Sequence, residues 1–190
     1  MKRIAIFGSG SGSNFEAIAA ACLSGEIEAE VALMVCDKPS AGIIARAERL
    51  GIASLVLSPK DFESKAKYEA VIVERLIAEG VSLICLAGYM RIVGPTLLEP
   101  FEGRIINVHP SLLPAFKGAR AIEQALEYGV KLFGVSIHYV SEELDGGGII
   151  DQVAFRYEGS SIEELETMVH QAEHPLYVAC VKKLIAVADL

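Results

Sequence analysis

Asn107 and His109 stand two residues apart at the end of a short apolar run, Ile105 to Val108. In an extended strand that spacing projects both side chains from one face. An amide donor beside an imidazole can hold a carbonyl group and stabilise the charge that develops on its oxygen under nucleophilic attack. Pro110 follows at once, and ligands of open α/β sheets gather at the carboxyl ends of strands, where this pair is expected. A lone histidine is otherwise a satisfied core or surface residue. Asp145 opens the run Asp-Gly-Gly-Gly, whose glycines permit a close turn and leave space beside the carboxylate. Read alone, it is a turn residue. If the fold brings it to His109, its charge favours the imidazolium and makes a better proton donor, but spacing does not establish that contact.

A second candidate site is the run FGSGSGSN near the N-terminus, where Gly8, Gly10 and Gly12 leave the backbone bare. Ser13 and Asn14 are expected to cap the following helix, whose unpaired N–H groups point toward an anion. The alternative is a tight turn in which the glycines serve packing alone. A dinucleotide fingerprint needs a glycine where Ser13 stands, and Asp37 only approximates the spacing of its ribose-binding acid. A nucleotide P-loop needs a lysine that this loop lacks. A terminal phosphate therefore fits better than a nucleotide.

Other chemistries find less support. There is no G-x-S-x-G elbow, and Cys85 lies inside an apolar run. His138, His170 and His174 lack tight metal-ligand spacing, and HQAEH carries its Glu in a different place from HExxH, so no metal is expected. Cys22, Cys36, Cys85 and Cys180 form no CxxC pair and read as small core residues, in keeping with a reducing compartment.

The elements that must position these residues are legible as alternating patterns. Arg3 to Phe7, Val31 to Cys36, Ala53 to Leu57, Leu83 to Leu86 and Ile105 to Val108 read as buried strands. Helical patterns lie between them at Asn14 to Leu23, Ala41 to Leu50, Ser64 to Ala78 and Pro95 to Glu99. The alternation predicts a doubly wound α/β fold with a mainly parallel sheet. After His109, Pro110, Pro114 and Gly118 interrupt regular structure before a helix at Ala121 to Tyr128. Leu132 to Tyr139 and Gly148 to Tyr157 read as a hairpin-like pair of strands around the acidic turn SEELDGGG. A long helix is expected from Ser161 to Ala188, with Glu163 and Glu164 in its first turn and Lys182 and Lys183 near its end, as the helix dipole favours.

The 190 residues are 52% hydrophobic, enough for one domain with a full core, and neither a linker nor a repeat interrupts them. A net charge of −8 without a basic patch argues against nucleic acid and anionic membranes as partners. The apolar runs are shorter than the roughly 20 residues of a membrane span. Glycine also ends the N-terminal run before the about 7–15 apolar residues of a signal peptide. A cytoplasmic protein is expected.

GSGSGSN, LAGYMRIVGP, INVHPSLLPAFKGA and ELDGGGII, with an EH pair in the final helix, resemble in order and separation the motifs of the phosphoribosylglycinamide formyltransferases of purine synthesis. The similarity spans essentially the whole chain. It implies a Rossmann-like fold, 10-formyltetrahydrofolate as co-substrate, and formyl transfer to the amine of glycinamide ribonucleotide. By position, Gly12, Ser13 and Asn14 match the phosphate loop, and Pro110 and Glu173 fall with the ribonucleotide site. Met90, Arg91, Ile92 and Val93 match the segment that contacts the folate, together with Asn107. Val140, Ser141, Glu142, Glu143, Leu144 and Asp145 match the wall around its pterin, and Lys65 stands toward its tail. Asn107, His109 and Asp145 match the catalytic trio. The N-terminal half is thus expected to bind the ribonucleotide phosphate and the C-terminal half to contribute the folate site. Ile122 departs from the histidine of many relatives, so no chemistry is assigned to it. A monomer or homodimer is expected.

Two related classes share the chemistry. Formyltetrahydrofolate deformylase usually carries an extra N-terminal domain and tends to have a second histidine where Pro110 stands. Methionyl-tRNA formyltransferase usually carries a C-terminal tRNA-binding domain. A non-catalytic folate-binding module and, more remotely, a dinucleotide-dependent oxidoreductase complete the alternatives.

Overall fold

A computed structural model describes residues 1–187 of the chain, so Ala188, the expected last residue of the final helix, lies outside the described residues. The strands are β1 (Lys2–Gly8), β2 (Ala29–Cys36), β3 (Ser54–Val56), β4 (Leu83–Leu86), β5 (Ile105–His109), β6 (Leu132–Tyr139) and β7 (Ile149–Arg156). The helices are α1 (Ser13–Leu23), α2 (Ile43–Arg49), α3 (Lys65–Ala78), α4 (Pro95–Leu98), α5 (Ala121–Tyr128) and α6 (Ile162–Ala186). One seven-stranded sheet runs in the order β3-β2-β1-β4-β5-β6-β7. The pairs from β3 to β5 are parallel, whereas β5–β6 and β6–β7 are antiparallel. This is the doubly wound, mainly parallel sheet that alternating runs predict, with the β6–β7 hairpin as its extension.

Alternation along β1 shows how the two faces are filled. Ile4 and Ile6 join Phe15, Ile18, Ile43 and Val169, while Ala5 and Phe7 join Tyr68, Ile72, Leu76 and Leu97 on the other side. Helices therefore cover both faces, which is why the parallel strands read as unbroken apolar runs. Tyr177 of α6 is wholly buried, and its hydroxyl donates to the carbonyls of Leu86 (2.9 Å) and Ile106 (3.2 Å). These contacts tie the final helix to the carboxyl end of β4 and the start of β5.

Strand order reverses between β1 and β4, so the loops leaving these strands flank the crevice in which such sheets bind ligands. The loop after β1 is the glycine run, and the loop after β4 carries Met90 to Gly94.

Candidate active site

The glycine loop enters α1 differently from the expected capping by Ser13 and Asn14. Gly12 is the N-cap, in the left-handed conformation (φ 81°), and no side chain caps the helix. Ser13 is already helical, and the Asn14 amide donates instead to Glu173 Oε2 of α6 at 2.8 Å. The consequence is a first turn whose N–H groups stay available to an anion, which a self-capped helix would have lost. Gly8 and Gly12 do serve packing, since a Cβ would fall 2.6 Å from Ile43 Cδ1 or 2.8 Å from Ile43 Cα. Gly10 has nothing within 4 Å and leaves open backbone. Burial raises the Glu173 carboxyl above the ordinary 4.5, against the opposing pull of Asn14, His170 and His174. A cavity of about 560 Å³ joins Gly10–Asn14 to Glu173.

Asn107 and His109 end β5 as expected, and the fold brings Asp145 to them. Its Oδ2 lies 3.5 Å from His109 Nδ1 and accepts the Gly118 N–H at 2.8 Å. The first distance is an ion-pair separation, longer than an ordinary hydrogen bond. On the other side of the ring, His109 Nε2 donates to the Phe116 carbonyl at 2.8 Å. Both ring nitrogens thus face oxygen acceptors, and an imidazolium satisfies both.

His138, to which sequence spacing gives no role, belongs to the same cluster. It sits directly across from Asn107 in the antiparallel β5–β6 pairing, a register that periodicity does not reveal. Burial pushes its imidazole below the ordinary histidine value, further than the Tyr139 carbonyl and Asp145 restore it. The neutral ring donates from Nδ1 to the Tyr139 carbonyl at 2.9 Å, and Nε2 accepts from Asn107 Nδ2 at 3.2 Å. His138 therefore orients the Asn107 amide and leaves its second hydrogen for a ligand. The remaining Asp145 oxygen, Oδ1, lies 3.6 Å from His138 Nε2.

A cavity of about 600 Å³ opens on this cluster, walled by Met90–Val93 on one side and Val140–Asp145 on the other. Pro110, Gly88, Met90 and Val108 border both this cavity and the one at the glycine loop, so the two adjoin at the strand ends. Lys65 lies apart from the cluster, in a 440 Å³ cavity that meets the larger one along Tyr89–Ile92. Ile122 is buried beside the glycine-loop cavity and contributes surface only. Lys117 of the loop after β5 reaches Glu143, which lines the large cavity, at 2.7 Å.

Three non-glycine residues among those described have a left-handed backbone: Phe116, Arg120 and Asp145. All three belong to the two loops around His109. Such conformations cost about 1–3 kcal/mol each and concentrate at functional sites. Asp37, considered as a ribose ligand, is instead buried and accepts from Arg91 Nε at 2.8 Å, which removes the acid a dinucleotide would need. Among the described residues no cluster of His, Cys, Asp and Glu could hold a metal ion, and no helix is long and apolar enough to cross a membrane.

The sequence pattern of the formyl transferase family matches residues 2–181. The phosphoribosylglycinamide formyltransferase of Bacillus subtilis (strain 168) is 48% identical over 97% of this chain and 95% of its own. The enzyme of the same name from Haemophilus influenzae is 37% identical over 96% and 86%. The crystal structure of glycinamide ribonucleotide transformylase 1 from Geobacillus kaustophilus superposes with a TM-score of 0.95 at 49% identity, covering 98% of this chain and 100% of that one. Sequence and fold agree over nearly the full length of both, and the chain belongs to the formyl transferase family, among the phosphoribosylglycinamide formyltransferases.

Proposed function

We propose that the chain transfers the formyl group of 10-formyltetrahydrofolate to the amine of N1-(5-phosphoribosyl)glycinamide, a step of purine biosynthesis. The observation that carries this reading is the convergence of Asn107, His109 and Asp145 where two cavities adjoin. One cavity ends on free helix N–H groups suited to a phosphate, and the other presents a mainly apolar surface, edged by polar side chains, suited to a flat heteroaromatic ligand. The first is assigned to the ribonucleotide, held by Gly12, Ser13, Asn14, Pro110 and Glu173. The second is assigned to the folate, with Lys65 toward its tail carboxylates.

The folate supplies an activated formyl carbon. Asn107 directs its free amide hydrogen at the formyl oxygen, on which negative charge develops when the glycinamide amine attacks. His109 gives a second hydrogen from Nε2. In the structure that hydrogen rests on the Phe116 carbonyl, which stands as an acceptor where the formyl oxygen would serve in its place. Exchanging one acceptor for the other needs movement of the loop, not a change of protonation. Asp145 holds the ring through Nδ1 and balances its charge. His109, or a water it orders, carries the proton from the amine to the departing folate nitrogen. The chain's cytoplasmic placement follows from the same reading, and its four free cysteines are consistent with it.

Incubating the pure protein with 10-formyltetrahydrofolate, with and without the ribonucleotide, tests the reading. Folate turnover that depends on the ribonucleotide supports it. Turnover in water alone identifies a deformylase, and no turnover identifies a binding protein.

A further inference from the structure

The segment from Met90 to Gly94 has no regular secondary structure, and its two large apolar side chains do not anchor it. Met90 is 70% exposed and Ile92 64%. Val93 alone packs against the core, and three hydrogen bonds from three separate elements hold the rest. Ser9, after β1, accepts the Met90 N–H at 2.9 Å; Asp37, after β2, accepts from Arg91 Nε at 2.8 Å; Glu69, in α3, accepts the Gly94 N–H at 2.6 Å. All three acceptor side chains are buried.

The arrangement is costly in ways that packing alone does not require. Asp37 Oδ1 and Glu69 Oε2 are buried without a hydrogen-bond partner among the described residues. A buried carboxylate left half satisfied is unfavourable, whereas an amide or apolar group of similar size would spare the charge. Gly94 completes the fit: a Cβ there would lie 2.7 Å from Glu69 Oε2. Its backbone is of a kind any residue adopts (φ −93°), so the glycine answers to the closeness of the carboxylate, not to the turn.

We propose that Asp37 and Glu69, with Ser9, are positioning residues for formyl-folate recognition. Ser9 and Glu69 fix the two ends of the Met90–Gly94 backbone, and Asp37 fixes the Arg91 side chain between them, before the co-substrate arrives, so that binding does not have to order them. Ser9 links this segment to the glycine loop and so sets the two substrate sites relative to one another. The inference rests on the assignment of Met90–Val93 to the folate.

Steady-state kinetics of the full chain carrying Asp37→Ala or Glu69→Ala provide the test. Each is expected to raise KM for 10-formyltetrahydrofolate about tenfold, or ~1.4 kcal/mol, with kcat and KM for the ribonucleotide changed less than about twofold. Glu69→Gln keeps an acceptor for the Gly94 N–H and should restore KM to within about threefold. An unchanged folate KM, a parallel loss in kcat and both KM values, or no rescue by Gln overturns the proposal. If an alanine variant fails to fold, Asp37→Asn and Gly94→Ala carry the same test at about threefold, and an unchanged folate KM in both overturns it. Hydrogen exchange at Arg91, Ile92 and Val93 in the unaltered protein, whose N–H groups the three acceptors leave free, separates the two levels. No slowing on adding 10-formyltetrahydrofolate overturns the assignment of the segment itself. Slowing there, with variants of unchanged KM, overturns only the role of the three acceptors.

Discussion

Replacing His138 by Phe isolates the group that orients Asn107. The ring shape is kept at a position only 2% exposed, but the acceptor 3.2 Å from Asn107 Nδ2 and the donor to the Tyr139 carbonyl both disappear. A buried donor stripped of its partner costs about 1–3 kcal/mol. Asn107 is half-buried and recovers part of that by rotating toward Asp145 or solvent, which turns its hydrogens away from the formyl oxygen. Deleting an oxyanion donor outright lowers kcat by ~10²–10³. Here the donor is misdirected, not removed, so a loss of about 10- to 100-fold in kcat is expected from that same range. The ribonucleotide KM should hold, because none of its assigned contacts involves His138. His138→Gln keeps an acceptor and should recover much of the rate. The pH profile provides an independent signature. Protonation turns Nε2 from acceptor to donor against the Asn107 N–H, and burial lowers the His138 pKa below 6.5, so this contribution to kcat is lost only on the acid side of that value. Formyl-transfer assays from pH 5 to 9, with a thermal melt of each variant, measure all of this. A His138→Phe enzyme retaining more than half of kcat, or a Gln variant no faster than Phe, would refute the reasoning.

Further expectations follow from the same geometry. His109→Ala should lower kcat by about 10²–10⁴, the range for a positioned acid–base group, while substrate affinities measured by calorimetry change little; near-normal turnover would exclude His109 from the chemistry. Glu173→Gln removes a buried carboxyl whose pKa is raised by burial. The native state then binds the proton more tightly than the unfolded chain, so the native glutamate loses stability as pH rises from about 4.5 through its folded value. Gln should therefore raise Tm at neutral pH, with the gain fading toward pH 4, and should weaken ribonucleotide binding. A neutral-pH Tm below that of the unaltered protein would contradict this. Gly12→Ala places a Cβ 2.8 Å from Ile43 Cα on a left-handed backbone. Left-handed strain of about 1–2 kcal/mol and overpacking of about 1–3 kcal/mol should together lower stability in urea melts and weaken phosphate binding. A variant of unchanged stability would remove the packing argument for this glycine.

What the sequence discloses here and what it hides have a common physical basis. Strands β1, β2 and β4 are visible because burial on both faces makes them largely apolar runs, and α6 because Ser161 caps it and acids fill its first turn. Those are local signals. Asn107 and His109 are visible for the same reason, since one strand carries both. Ser13 and Asn14 look like caps because their side chains suit the role, yet Gly12 takes the cap position, and Asn14 turns to an acid 159 residues away. His138 escapes notice because its partner lies across an antiparallel pairing whose register depends on how β6 packs. Asp37 and Glu69 are hidden more deeply, since Asp37 suggests only a poorly spaced ribose ligand and Glu69 an ordinary acid until the chain has closed around Met90 to Gly94. Most of the residues proposed to touch substrate cluster on strand ends and glycine loops and so leave local patterns. Those that orient them act across the sheet, and only the folded register brings them within hydrogen-bond reach.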